Sequence, residues 1–130
     1  MIQLTKGEIG ELIISNFVEN QFSKILSFSS PKTKDNAGIA DILIWLNRTV
    51  FLIEVKTRNT EEGTSSIESW GYSQIKKDQG QIEKNINRIQ SKEDVFLHND
   101  YYHSNLDCDG ICKIIGIIVL VHEGSCKITP

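Results

Sequence analysis

Ile39 to Lys56 reads IADILIWLNRTVFLIEVK, and this segment decides the fold. Two apolar runs rich in β-branched residues, 39–46 and 49–56, are separated only by Asn47-Arg48. The pattern predicts two antiparallel strands joined by a two-residue turn. Because both runs are apolar at nearly every position, we expect central strands that are covered on both faces.

Three charged residues interrupt these runs, namely Asp41, Glu54 and Lys56. A charge inside a buried strand is costly unless it is paired or binds a metal. Strand alternation places Glu54 and Lys56 on one face. If Leu46 pairs with Thr49 across the turn, the same register sets Asp41 opposite Glu54, with Cβ atoms about 4.5–5.5 Å apart. We therefore predict that the three charged side chains converge.

Two adjacent carboxylates repel one another unless a proton or a cation lies between them. Oxygen ligands with an open coordination sphere suit Mg²⁺ or Mn²⁺ better than zinc. Such a cation polarises a phosphoryl oxygen and lowers the pKa of a bound water. Lys56 would position that water and stabilise the developing charge. The three residues together suit phosphodiester hydrolysis; the alternative interpretation is a salt-bridged trio on a solvated surface.

The same residues resemble the PD-(D/E)XK nuclease superfamily. Gly38 to Asp41 (GIAD), followed by Ile53 to Lys56 (IEVK), is similar to its motif, although no Pro precedes Asp41. Lys6 to Glu11 (KGEIGE) is similar to the start of archaeal Holliday junction resolvases and of nuclease-related NERD domains. The resemblance extends over about residues 6–90 in order and spacing.

This resemblance implies a restriction-endonuclease-like fold and a Mg²⁺- or Mn²⁺-dependent deoxyribonuclease. Asp41, Glu54 and the backbone carbonyl of Val55 would bind the metal, and Lys56 would hold the attacking water. The competing class is a non-catalytic module of the same fold that binds nucleic acid or a protein. A cofactor-binding α/β enzyme is disfavoured because no Gly-rich phosphate loop follows a predicted strand.

The resemblance also implies an acid on the first helix and an amide on the helix that follows the lysine strand. Glu11 is the preferred acid because it ends the Gly-x-x-Gly-Glu pattern, with Glu8 as the alternative. Gln79 is the preferred amide because it falls on the apolar stripe of its helix, so we expect it to point inward. Gln81 and Gln74 fit that stripe less well.

The remaining elements follow from periodicity and turn residues. Ile9, Ile13 and Phe17 predict an amphipathic helix over 6–22, with Leu12, Ile14 and Val18 widening its apolar stripe. Thr5 with Glu8 has the spacing of a capping box. The full prediction is α/β, a single domain over 1–130 with a mixed central sheet of about four to five strands flanked by helices. Its other parts are a strand over 24–30, loops over 31–38, 57–73 and 98–109, a helix over 74–91, and strands over 113–121 and 126–129.

The composition is that of an ordinary globular protein, with 130 residues, 39% hydrophobic and 24% charged. No signal-peptide pattern opens the chain, and its longest apolar run, Ile114 to Val121, is too short to span a bilayer. We therefore expect a cytoplasmic protein. The odd number of cysteines, three, argues against a disulfide framework.

The net charge of −3 does not exclude a DNA-binding enzyme, because a divalent cation would offset the clustered acids. The expected partner is DNA, and further candidates are a second copy of the chain and a fused or separate ATPase, helicase or defence-system protein. Five basic residues of the second predicted helix would contact phosphates or form a solvated face: Lys76, Lys77, Lys84, Arg88 and Lys92. A zinc site is a lesser alternative, on His98, His103, Cys108 and Cys112.

Overall fold

The structure is a computed structural model that describes residues 3–21, 26–58, 67–122 and 125–129, with side chains for 3–17, 26–58 and 68–121. Its helices are α1 (Lys6–Gln21) and α2 (Ile67–Gln90). A short 3-10 helix spans Cys108–Gly110. The strands within these ranges are β1 (Ser27–Ser29), β2 (Lys32–Thr33), β3 (Ile42–Leu46), β4 (Thr49–Thr57), β5 (Val95–His98), β6 (His103–Asn105), β7 (Lys113–His122) and β8 (Ser125–Thr129).

The main sheet is mixed and has the strand order β1-β3-β4-β7-β8. Its central pair, β4 and β7, is parallel, whereas the other neighbours are antiparallel. A second, antiparallel sheet has the order β2-β5-β6. The predicted α/β class with a mixed sheet and flanking helices is therefore confirmed. No helix among the described residues is long and apolar enough to cross a membrane.

The hairpin of β3 and β4 has the predicted register, from Leu46 opposite Thr49 to Ile42 opposite Ile53. Its turn contains Asn47 at φ 57°, a left-handed conformation that asparagine tolerates better than most residues. The two strands are covered on both faces, as predicted. One face packs with α2 and β5, and its buried residues include Leu43, Val50, Leu52, Ile89, Val95 and Leu97. The other face packs with α1, and its buried residues include Ile14, Ile42, Ile44, Ile53 and Val55.

Helix α1 begins as predicted but presents a different face to the sheet. The capping box is formed, with Thr5 and Glu8 each donating a backbone N–H to the other's side-chain oxygen, at 2.8 and 3.1 Å. Ile14 is buried, whereas Ile9, Ile13 and Phe17 are exposed. The predicted core stripe is therefore wrong for Ile9, Ile13 and Phe17, whereas Ile14, which was expected to widen it, is in the core. The reason is Gly10, four residues before Ile14, whose lack of a side chain lets the helix lie directly against Thr57.

Three other predictions need correction. Helix α2 begins at Ile67, so the predicted loop over 57–73 is shorter than expected; residues 59–66 lie outside the described ranges. The predicted loops over 31–38 and 98–109 contain β2 and β6, two of the three strands of the second sheet. These two strands escape detection because they are only two and three residues long, and His103–Asn105 is also exposed at every position. The strand predicted over 24–30 is observed at Ser27–Ser29, and residues 24 and 25 are not described.

Candidate active site

Asp41 lies at a bend immediately before β3. Its N–H donates to the Ile53 carbonyl at 3.1 Å, and its own carbonyl accepts from the Ser30 N–H at 2.8 Å. Its side chain turns towards β4, where Oδ2 accepts a hydrogen bond of 2.7 Å from the Val55 N–H. The last hydrogen-bonded pair of β3 and β4 on this side is Ile42 with Ile53. Asp41 and Glu54, the next pair in the predicted register, are therefore not strand partners. The bend nevertheless brings the Asp41 carboxylate beside β4.

Glu54 is the most unusual charged residue of the sheet. It is 9% exposed and sits in the centre of β4, next to Asp41. Burial raises the pKa of Glu54 to about 8; the negative charge of Asp41 and a hydrogen bond with it add to this, and the positive charge of Lys56 opposes it. At neutral pH this carboxyl therefore retains its proton, unless a bound cation stabilises the ionised carboxylate.

Glu11 is the residue of α1 that reaches the same cluster. Burial raises its pKa, and so do the charge of Asp41 and a side-chain hydrogen bond with Asp41, whereas Lys56 lowers it. Glu8 is exposed and is engaged in the capping box at Thr5. The geometry thus brings Glu11, and not Glu8, to Asp41. Gly10, the residue before Glu11, packs against Thr57 at the end of β4. This close contact places Glu11 near the strand that carries Glu54.

Gln79 does not point inward. Its side chain is exposed, as is that of Gln81, so the predicted orientation is wrong. The buried side of α2 instead carries Asp78, Ile82, Asn85 and Ile89. Asp78 stands three residues after Ile75 and four before Ile82, so the helical period fits it as well as it fits Gln79. Sequence periodicity alone therefore does not decide which of Asp78 and Gln79 faces the sheet. In the structure Asp78 is buried and Gln79 is exposed.

Asp78 is 6% exposed, and its Oδ1 lies 3.9 Å from Nζ of Lys56. Its Oδ2 is buried and has no hydrogen-bond partner among the described residues. Burial raises the pKa of Asp78, the charge of Lys56 lowers it, and the charge of Asp41 raises it. Lys56 is thus surrounded by acids that come from three elements and from the bend before β3.

The donor set fits a hard divalent cation. Asp41, Glu54 and Glu11 offer only oxygen ligands. Burial, and then the charge of Asp41, raise the pKa of Glu54 and of Glu11, and a bound cation would offset both effects. Within the described part of the chain, no three His, Cys, Asp or Glu side chains already surround a common metal position. Instead, Glu11 and Glu54 each share a hydrogen bond with Asp41.

The four residues of the alternative zinc site do not come together. His98 and His103 are cross-strand partners whose ring centroids lie 5.9 Å apart. They line a cavity of about 490 Å³ beside β1, together with Asp100. The Cys108 thiol instead donates to the Glu93 carbonyl at 3.6 Å, and Cys112 is exposed. This soft-ligand group is therefore split into a histidine pair and two separate thiols.

Comparisons with protein-family models, with curated proteins and with solved structures found no match to this chain.

Proposed function

We propose that this chain is a metal-dependent deoxyribonuclease of the restriction-endonuclease-like type, which hydrolyses phosphodiester bonds with Mg²⁺ or Mn²⁺. The observation that carries the proposal is the buried carboxyl of Glu54 beside Asp41 and Lys56, with its pKa raised to about 8. Burying such a group costs free energy that a purely structural role does not repay. Perturbed carboxyls of this kind concentrate at catalytic and metal-binding sites.

Each residue then has a defined task. Asp41 and Glu54 would hold the cation, with Glu11 and the Val55 carbonyl completing the protein ligands. The cation, when bound, supplies Lewis-acid polarisation of the phosphate and a more acidic water. The Val55 N–H fixes the direction of the Asp41 carboxylate through its 2.7 Å bond. Lys56 donates hydrogen bonds to the attacking water or to a phosphate oxygen, and its charge stabilises the extra negative charge of the transition state.

The surface next to the site supports DNA as the substrate. Lys76 and Lys77 are exposed on the turn of α2 that carries Asp78, so their ammonium groups are available to backbone phosphates. Two other basic residues of α2 and its end have structural partners instead: Arg88 pairs with Glu93 at 2.5 Å, and Lys92 pairs with Asp109 at 2.7 Å. Phosphate contacts are therefore expected in the middle of α2, around Asp78, and not from Arg88 and Lys92 at its C-terminal end.

The proposal is tested by cleavage of a panel of DNA forms: supercoiled plasmid, linear duplex, single strand and four-way junction, each with Mg²⁺, Mn²⁺ or EDTA. Wild type should cleave at least one form with metal and none with EDTA. D41N and K56M should each lower the rate by about a hundredfold or more. E83Q, which removes an exposed negative charge elsewhere on α2, is the matched control and should cleave like wild type.

Wild-type rates for D41N and K56M would show that the proposed site is wrong. Thermal stabilisation by Mg²⁺ without cleavage of any DNA form would favour a non-catalytic binding module.

A further inference from the structure

Asp78 occupies a place in the site that nothing in its local sequence requires. It lies on α2, far along the chain from the strand residues, yet its Oδ1 lies 3.9 Å from the Lys56 ammonium. Its side chain is 8% exposed, whereas that of Lys56 is 41% exposed. The carboxylate thus approaches Lys56 from the helix layer, while Asp41 and Glu54 belong to the sheet.

Stability does not explain this residue. A long ion pair with a substantially exposed lysine contributes little to the free energy of unfolding. The second oxygen of Asp78 is buried and receives no hydrogen bond from the described residues, which is itself unfavourable. Asp78 also repels Asp41 and Glu54. The fold would therefore be at least as stable with a neutral side chain of the same size.

The charges around Lys56 suggest what Asp78 does. Lysine has a flexible side chain with four methylene groups, and the nearest carboxylates in the sheet layer are those that would hold a cation. An ammonium that folded onto Asp41 and Glu54 would neutralise them and compete with the metal. Asp78 adds a further carboxylate, 3.9 Å from the Lys56 ammonium, that comes from α2 and not from the sheet. It supplies a counter-attraction for the ammonium, and α2 holds it in place.

We propose that Asp78 is a positioning residue that draws the Lys56 ammonium away from Asp41 and Glu54, so that these carboxylates remain free for the cation and the ammonium faces the phosphate. The inference rests on the proposed nuclease function. Asp78 acts through Lys56 and does not itself contact substrate. The neighbouring Gln79 differs from Asp78 in that its side chain is exposed.

D78N is the central test, because it removes the charge and keeps the size. In EDTA its melting temperature should equal or exceed that of wild type. The Mg²⁺ concentration that gives half of the thermal stabilisation should rise about threefold or more, and kcat should fall about tenfold or more with a smaller change in KM. D78E should recover part of both losses. Q79N, at the exposed neighbouring position, should match wild type.

A second measurement identifies the route. In a K56M background, D78N should cause little further loss of kcat, because a residue that acts through Lys56 has nothing left to position. A lowered melting temperature for D78N in EDTA would indicate a structural ion pair and overturn the inference. Wild-type kcat and Mg²⁺ response for D78N, in an enzyme that does cleave DNA, would also overturn it while leaving the proposed function intact. If wild type cleaves no DNA, the proposed function fails and the inference fails with it.

Discussion

The backbone N–H of Val55 donates a 2.7 Å hydrogen bond to Oδ2 of Asp41, which ties the carboxylate at the start of one strand to the middle of the next. The bond lies between Glu54 and Lys56 along β4, so all three charged groups take their places from the same short piece of strand. Asp41 consequently has two separable roles, one in the fold and one in the proposed metal site.

These roles predict different stabilities for two substitutions at one position. D41N keeps an oxygen that can accept from the Val55 N–H, so its free energy of unfolding in EDTA should stay close to that of wild type. D41A leaves the partly buried N–H without its acceptor and should be less stable by about 1–3 kcal/mol. Urea denaturation measures both. Equal stability of D41N and D41A would show that the hydrogen bond contributes nothing to the fold.

The raised pKa of Glu54 predicts a pH dependence of stability in metal-free protein. The folded state keeps this proton up to pH about 8, whereas the unfolded chain loses it near its ordinary value of 4.5. Between these values the folded state binds the extra proton, so the free energy of unfolding should fall as pH rises, by at most about 1.4 kcal/mol per pH unit.

E54Q should reduce this slope, and urea denaturation in EDTA from pH 5 to 9 measures it. A smaller slope should remain, because the pKa values of Glu11 and Asp78 are also raised. A wild-type slope that persists unchanged in E54Q would assign the titration to another group.

The close approach of α1 to β4 at Gly10 predicts a strong and specific steric effect. A Cβ at this position would clash with Oγ1 of Thr57, whose hydroxyl is buried and has no hydrogen-bond partner among the described side chains. G10A should therefore displace α1 and destabilise the fold, by about 1–3 kcal/mol. The double variant G10A/T57A should recover most of the loss, because the remaining contact is an ordinary one. Additive effects of G10A and T57A would contradict the clash.

Two cysteines should differ in reactivity towards a thiol reagent. Burial raises the pKa of Cys108, and the nearby charges of Asp109 and Asp107 raise it further, while Cys112 is exposed. Because the thiolate is the reactive form, iodoacetamide at pH 8 should modify Cys112 at least about tenfold faster than Cys108. Peptide mapping by mass spectrometry distinguishes the two sites within one chain. Faster modification of Cys108 would contradict the contact of its thiol with Glu93.

The sequence predicts the β3–β4 hairpin well because two constraints agree there. A two-residue turn sets the register, and two apolar runs with sparse charges mark the strands. The bend at Asp41 was not predictable, because it depends on Ser30 and Ile53, which come from different parts of the chain. The closeness of the Asp41 and Glu54 side chains was thus anticipated, whereas the end of the strand pairing at Ile42 and the hydrogen bonds of Asp41 were not.

The helices were predicted in existence and type, but not in orientation. In α1 the exposed residues Ile9, Ile13 and Phe17 form a better apolar stripe than the face that is buried, and the close contact at Gly10 overrides the pattern. In α2 the period fits both Asp78 and Gln79, and a buried acid is the less expected choice. Contacts with other elements decide which face of each helix is buried, and these contacts cannot be deduced from a single sequence.

The turn at Asn47 has a consequence for how the site withstands changes in chain length. Leu46 and Thr49 are the pair that closes the turn, and this pair sets the register of all the following pairs up to Ile42 with Ile53. An insertion or deletion of one residue in this turn would shift the register by one and move Glu54 and Lys56 to the opposite face of the sheet. Substitutions along the hairpin leave the register unchanged. Alignment of the carboxylates is therefore far more sensitive to the number of residues between Asp41 and Glu54 than to the identity of most of them.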